Sequence, residues 1–396
     1  MSDPKSRSMI QLPGDFFFGE LRSDPTKPAP PAVPPPLGPL AAFAGVFAGN
    51  GFNTIFRPDS AATPTALPKD PPPNPPHDNI LELNLTSETL SFSQSLGSVP
   101  NRGTGNQPDA FLNGIPYVQQ INDITIHGES TPIHFEPGLW MHVPQTVVPN
   151  IAATVTRMAS IPHGTTIKAQ GLVTNPQPGP PNIGHVDITP IIIATGQPVN
   201  PKFPSQTATN GITLRIPQDL TPFSSRITQA MLDDPNSLLR DHISKQRILT
   251  TTTIFISTNP AAPLFGGGTD NIAFLLGQPQ TPPPNPNADA VQMTAVFWIE
   301  VVEEVLRVPF YRVGSPPLLL KAKASIPGQR VAQFSVTPPF DIDLPGRDIT
   351  VTFTQIQYSQ NVTLNFNGLS WPHVSVNTLV PADPIEIPPS SAVWKN

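Results

Sequence analysis

Hydrophobic and polar positions alternate with a period of two in several segments of this chain. In the segment 80–92, leucines at every second position alternate with polar residues. This is the period of a β-strand with one buried face. The same pattern predicts further strands at 52–56, 117–126, 133–143, 154–159, 165–169, 248–258, 293–302, 331–336, 349–353, 362–366 and 374–379.

One stretch, 224–245, has the spacing of a helix. Asp234 before Pro235 forms an N-cap and first-turn pair, and Leu239 and Ile243 lie one turn apart. The 56 prolines cannot donate hydrogen bonds to a helix or a central strand. The fold class is therefore mainly β, closed as a barrel or a sandwich. A barrel of modest strand number can enclose a small apolar ligand.

Changes in composition divide the chain into four parts. Residues 1–36 form a Pro-rich N-terminal arm, 37–305 the β-barrel ligand-binding domain, 306–380 an additional C-terminal β unit, and 381–396 an extended tail. The arm contains three adjacent phenylalanines, Phe16 to Phe18. Because such residues favour burial, we expect this piece to dock on its own barrel or on a partner chain.

Charge and cysteine content exclude several classes of function. Only 13% of residues are charged, and the net charge is −6, which argues against binding to nucleic acid or to an anionic membrane. The absence of Cys excludes disulfides and thiolate metal sites. No apolar run approaches about 18 residues, so no membrane span is expected. The first residues lack the pattern of a signal peptide, which favours a cytoplasmic location.

Histidines are the main reactive side chains, and each candidate has two interpretations. His134 and Glu136 share one face of a predicted strand, where they form either part of a pocket or a structural pair. His163 lies in a turn, as a ligand or as a strand cap. His373 follows Trp371-Pro372, in an aromatic pocket or in a packed surface pair. No spacing typical of a zinc site, a phosphate loop or a nucleophile elbow is present.

Several segments together resemble known barrel families. Pro39-Leu-Ala-Ala-Phe-Ala-Gly-Val-Phe-Ala-Gly-Asn-Gly51 resembles the opening of fatty-acid-binding-protein-like and nitrobindin-like barrels, with Phe47 where that pattern has Trp. His134-x-Glu136-x-Gly138 resembles an element in the middle of these barrels, and the segment 295–301 would be their closing strand. The blocks 136–144, 157–164 and 355–360 are similar to microbial proteins described as heme-binding, sometimes as peroxidase-like.

The resemblance implies a calycin-like antiparallel β-barrel that binds heme or another flat apolar small molecule. It implies a heme pocket that contains His134, Glu136, Trp140, His163 and His373. Nitrobindin-like barrels carry an axial His near the closing strand, and 293–302 has none. The resemblance therefore leaves His134 and His163 as the pocket or axial candidates, with His373 as the alternative axial ligand of the iron. Any activity would be at most peroxidase-like and a property of the bound heme.

Two other functions fit the same sequence. Low charge and Pro-rich arms suit a non-enzymatic structural protein that forms a homo-oligomer by exchanging the N-terminal arm. A carrier of fatty acids or other lipids is the third hypothesis, with the helical stretch 224–245 as a lid over the barrel.

Overall fold

The fold is known from a computed structural model, which describes residues 9–13, 16, 18, 26, 35–71, 79–262, 264, 266–276 and 287–395. Its centre is a closed barrel of ten antiparallel strands in which each strand pairs with the next one along the chain. The last strand pairs with the first and closes the barrel. The strands are β1 Val46–Pro58, β2 Asn79–Phe92, β3 Ala110–Asp123, β4 Thr131–Val143, β5 Thr154–Ile161, β6 Thr165–Val173, β7 Arg247–Ser257, β8 Asp289–Val308, β9 Arg347–Phe366 and β10 Leu369–Pro381.

Short elements surround the barrel. The helices are α1 Gln229–Asp233, α2 Asn236–Ile243 and α3 Ala273–Leu276, with 3-10 turns at Gly38–Phe43, Pro204–Gln206, Thr221–Phe223 and Ala392–Trp394. Short strands lie at Val99–Asn101, Thr146–Val147, Asn150–Ile151, Gln177–Pro178, Ile191–Ile192, Gln197–Pro198, Arg215–Ile216, Gly268–Asn271, Leu318–Lys321, Gln333–Val336 and Ile385–Ile387. Within the described ranges, every helix is too short or too polar to cross a membrane.

The barrel interior is apolar at one end, which we call the base. Inward side chains alternate with outward ones along each strand, and at the base they form a core that includes Phe92, Trp140 and Phe297. The 3-10 turn before β1 inserts Leu40 and Phe43 into this core. Because these side chains are almost fully buried, the turn closes the base, and we call the opposite end of the barrel the mouth.

Two further cores lie outside the barrel. The long insertion between β6 and β7 packs on outward side chains such as Phe52, Trp298 and Val376. A three-stranded sheet made of 318–321, 333–336 and 385–387 packs on the far ends of β8 and β9. These layers bury one half of the outer wall, which explains why outward positions of these strands are also apolar.

Arg215 holds the insertion together through hydrogen bonds to backbone carbonyls. Its side chain is fully buried, and burial lowers its pKa to about 10. The guanidinium donates to the backbone carbonyls of Ser205, Thr207, Asn210, Pro217 and Gln218. The rigid fork of five N–H donors of arginine satisfies this arrangement, which the three donors of lysine would not.

The strand predictions are confirmed, and the fold is mainly β. The predicted strands 349–353 and 362–366 are two parts of one long strand, β9. The predicted helix is two short helices that break at Asp234–Pro235, and the Oδ1 of Asp234 accepts the N–H of Asn236. Alternation located the strands because one face of each strand is buried.

The prediction that 295–301 is the closing strand is wrong, because β10 closes the barrel against β1. Residues 347–381, most of which lie in the range that the sequence assigns to an additional C-terminal β unit, form β9 and β10 of the barrel itself. Pairing between two ends of a chain leaves no trace in local periodicity. Most of the arm 1–36 lies outside the described residues; within 9–13, the Ile10 carbonyl accepts a hydrogen bond from Ser93 Oγ at 2.5 Å.

Candidate functional site

Three histidines lie on segments at the mouth end of the barrel. His134 lies near the start of β4, His163 in the turn between β5 and β6, and His373 near the start of β10. Burial, followed by the electrostatic effects of His134 and His163, lowers the pKa of His373 to about 3. His373 is therefore neutral at physiological pH and lies within electrostatic reach of the other two rings.

A buried ion pair between Glu136 and Arg157 lies next to His134. Glu136 is 0% exposed, and its Oε2 accepts the Nε2–H of His134 at 3.2 Å. Its Oε1 accepts a hydrogen bond from Arg157 Nη2 at 2.6 Å and another from the Tyr117 hydroxyl. Burial alone would raise the pKa of Glu136, but Arg157 and these hydrogen bonds outweigh burial and lower it to about 2. Glu136 is therefore a permanent anion beside His134.

Arg157 connects this pair to other strands. Its Nε donates to Tyr117 Oη at 2.7 Å, its Nη1 to Gln360 Oε1 at 2.7 Å and its Nη2 to Gln119 Oε1 at 3.3 Å. The guanidinium thus bonds with side chains of β3, β4 and β9, and its positive charge is neutralised by Glu136. We call Glu136, Arg157, Tyr117, Gln119 and Gln360 the polar floor of the mouth.

Gly138 makes room for the floor. It lies opposite Tyr117 on the neighbouring strand, and a Cβ at this position would lie 2.5 Å from two atoms of the Tyr117 ring. The ring therefore covers the glycine, and this places the hydroxyl between Arg157 and Glu136. The spacing His134-x-Glu136-x-Gly138 has a physical reason: three inward positions supply a ring, an anion and space.

A second buried carboxylate, Glu88, lies on the inner face next to the floor. It accepts hydrogen bonds from Gln119 Nε2 at 2.8 Å, Tyr358 Oη at 2.5 Å and Asn377 Nδ2 at 2.9 Å. Burial raises the pKa of Glu88 to about 7 despite these bonds and the nearby charges of His134 and Arg157. Glu88 therefore carries only a partial charge near neutral pH.

His373 has a different environment from His134. Its Nε2 accepts a hydrogen bond from Asn53 Nδ2 at 2.9 Å, and the same amide nitrogen lies 2.8 Å from Ser375 Oγ. Since an amide N–H can only donate, the Nε2 of His373 carries the lone pair of a neutral ring whose proton is on Nδ1. The neighbouring Trp371 is fully buried against Phe366 in a core outside the mouth.

Of the five predicted pocket residues, the structure brings four to the mouth and its floor: His134, Glu136, His163 and His373. Trp140 lies deeper, 1% exposed in the apolar base, with its ring 5.9 Å from the Arg157 guanidinium. Since its ring packs edge-on against Phe43 and Phe297, it supports the floor and does not line the opening.

The sequence interpretation missed most of the floor, namely Arg157, Tyr117, Gln119 and Gln360, together with Glu88. A usable signal was present: Arg157 stands between Val155 and Ala159 in the inward phase of a strand, and both neighbours are core residues. A charged residue in phase with core residues must be buried and paired. The identity of its partners depends on strand pairing, which this signal does not give.

Metal binding by side chains alone has no geometric support in the described ranges, since no group of three or more His, Asp or Glu is arranged to hold an ion. Heme iron needs only one or two imidazoles from the protein, because the porphyrin supplies the other ligands. The mouth offers such an imidazole, because the His373 ring is neutral and is oriented by its hydrogen bond with Asn53.

Comparison with known proteins adds little to this geometry. No protein-family model matches the chain, and no curated protein matches it. A solved structure from M. tuberculosis, that of Rv2717c, aligns with 89% of this chain and 99% of its own, at 9% identity and a TM-score of 0.32.

Proposed function

We propose that the protein binds a flat, mostly apolar small molecule at the mouth of a calycin-like barrel, and that heme is the ligand. The observation that carries the proposal is the convergence of three histidines above a buried polar floor, one of them fixed by a carboxylate. Bound heme would supply the iron, and any weak peroxidase-like turnover would belong to that iron.

The tautomer of His134 suits an iron ligand. When the ring is neutral, an Nε2–H donated to Glu136 leaves the lone pair on Nδ1. A histidine that donates its other ring N–H to a carboxylate is the usual arrangement around metals, because the carboxylate orients the ring and makes it more basic. His163 is exposed in its turn and is the second candidate. His373 ranks third, because ligation through Nε2 would break its bond with Asn53.

A fatty-acid carrier is less consistent with the floor. A bound carboxylate needs an unpaired cation or free donors, and the charge of Arg157 is already neutralised by Glu136. The expected lid, 224–245, packs on the outer wall, where His242 of α2 contacts Thr378 of β10. Arm exchange stays a prediction from the sequence; within 9–13, the Ile10 carbonyl accepts a hydrogen bond from Ser93.

A hemin titration followed by visible absorption tests the proposal. We expect a saturable, sharpened Soret band at one equivalent for the wild type. His134→Ala or His163→Ala should weaken binding or shift the band, with a smaller effect for His373→Ala. His185→Ala, which changes an exposed ring in the insertion on the outer wall, is the matched control and should match the wild type.

A titration indistinguishable from that of an inert protein would refute heme binding. If the wild type binds hemin and none of the three histidine substitutions changes the Kd or the Soret band, the heme site lies elsewhere and the assignment of these histidines is refuted.

A further inference from the structure

The two buried carboxylates of the barrel interior differ in the charge of their partners. Glu136 accepts a hydrogen bond from the guanidinium of Arg157 at 2.6 Å, which neutralises it. The described side chains that donate to Glu88 are all neutral; they are Gln119, Tyr358 and Asn377. Ionisation of Glu88 therefore adds to the inner wall a negative charge that is stabilised by dipoles and not by an ion pair.

The titratable and charged groups that act on Glu88 belong to three other strands. Tyr358 of β9 donates to Glu88, and burial holds the pKa of this phenol well above its usual value, so it stays protonated. His134 of β4 and Arg157 of β5 act on Glu88 through their charges. Gln119 of β3 links Glu88 to the floor, because its Nε2 donates to Glu88 at 2.8 Å and its Oε1 accepts from Arg157 at 3.3 Å.

Glu88 lies in the same cross-strand row as His134. Both residues pair with Ile121 of β3, one from each side, so their backbones are about 10 Å apart. Glu88 is 3% exposed and Ile121 is 7% exposed. Because buried charges are screened much less than exposed ones, a charge on Glu88 acts on a ligand that binds at His134.

We infer that Glu88 is a proton-binding site that determines which ligand charge the mouth prefers. The inference rests on the proposed function, which places the ligand at the mouth. With Glu88 protonated, Glu136 and Arg157 cancel each other and the floor is neutral. With Glu88 ionised, one negative charge is added, which disfavours an anionic ligand. Binding of an anion to the ionised form is therefore coupled to the uptake of one proton from solvent by the Glu88 carboxylate.

The change falls within the physiological pH range. Burial raises the pKa of Glu88 to about 7, so the protonated form predominates at pH 5.5 and the ionised form at pH 8.5. Hemin is a suitable anionic probe because it carries two propionate groups. We expect its affinity for the mouth to be higher at the lower pH.

Hemin titrations of the wild type and Glu88→Gln at pH 5.5 and 8.5 test this inference. The introduced amide is neutral at both pH values, and Asn377 Oδ1, to which no described group donates, can accept its N–H after a flip of the Asn377 amide. The ratio of the wild-type Kd to the variant Kd should be near one at pH 5.5 and about ten at pH 8.5, equivalent to about 1.4 kcal/mol. This ratio removes the pH dependence of hemin itself and of His134, which both proteins share.

Glu300→Gln is the matched control. Glu300 is also a buried carboxyl whose pKa burial raises, to about 8. It lies on the outward face of β8, in phase with Trp298, where Gln355 donates to it. Its substitution should leave the Kd of the wild type unchanged at both pH values.

Infrared spectra of the ligand-free proteins provide a second readout, because a protonated carboxyl has a C=O stretch that a carboxylate lacks. The wild type should show a carboxyl band at pH 5.5 that is lost at pH 8.5 and that Glu88→Gln lacks. Thermal unfolding confirms that each variant is folded at both pH values.

The outcomes separate the two proposals. Absence of hemin binding by the wild type overturns the proposed function, whereas the infrared titration still tests the proton-binding site. A Kd ratio that is equal at the two pH values, or an equal effect of Glu300→Gln, overturns the role of Glu88 in ligand preference. A wild-type carboxyl band that does not depend on Glu88, or does not change between the two pH values, overturns the proton-binding site itself.

Discussion

Replacement of Arg157 by Met should destabilise the protein strongly, with a characteristic dependence on pH. The arginine holds the pKa of Glu136 at about 2 instead of 4.5, against the effect of burial. This difference corresponds to about 3 kcal/mol of stability at neutral pH. Removal of one partner from a buried ion pair typically costs about 3–5 kcal/mol, so two independent estimates agree.

The sign of the pH dependence separates this mechanism from simple loss of packing. In the wild type the folded pKa of Glu136 is depressed, so its contribution is present above 4.5 and is lost as the pH falls through 2. In Arg157→Met the largest effect that lowers the pKa of Glu136 is lost, and burial is opposed only by His134 and by the hydrogen bond of Tyr117, so this pKa rises. The deficit in stability relative to the wild type should therefore grow with pH, from its smallest value near pH 4 to its largest above pH 7.

Urea unfolding followed by far-UV circular dichroism at pH 4, 5.5 and 7.5 measures the effect as a shift in midpoint. The double variant Glu136→Gln/Arg157→Met removes the uncompensated anion and should recover part of the loss at pH 7.5. A deficit below about 1 kcal/mol, or one that is equal at all three pH values with no recovery in the double variant, would refute the electrostatic explanation of the floor.

Two further substitutions test other parts of the structure. Gly138→Ala places a methyl group 2.5 Å from the Tyr117 ring and should lower the melting temperature and weaken ligand binding. Gly184→Ala, where a Cβ meets nothing within 4 Å, is the control. An equal effect of both substitutions would contradict the close fit between Gly138 and Tyr117. Glu300, fully buried on β8, has its pKa raised by burial to about 8, so wild-type stability from this group falls between pH 4.5 and 8, by up to about 5 kcal/mol. Glu300→Gln should remove that part of the pH dependence of the melting temperature. Glu129→Gln, at an exposed turn, should keep the pH dependence of the wild type. Identical pH dependence in both variants would show that Glu300 is not buried as described.

Sequence periodicity located the strands but not their partners. The alternation in β2 reflects one buried face and is a local property, so the sequence was sufficient to predict this strand. That β10 pairs with β1, more than 300 residues away, depends on closure of the whole sheet. For the same reason, the sequence predicts an additional C-terminal β unit at 306–380, although this range supplies most of the last two barrel strands.

The sequence alone determined a mainly β fold, the shared strand face of His134 and Glu136, and the histidines as the candidate reactive residues. Only the tertiary structure decided that His134, His163 and His373 share one mouth, and that Glu136 is held by an arginine from another strand. The physical reason is that side-chain direction follows from local backbone geometry. Burial, pKa and hydrogen-bond partners instead depend on residues that only strand pairing and barrel closure bring together.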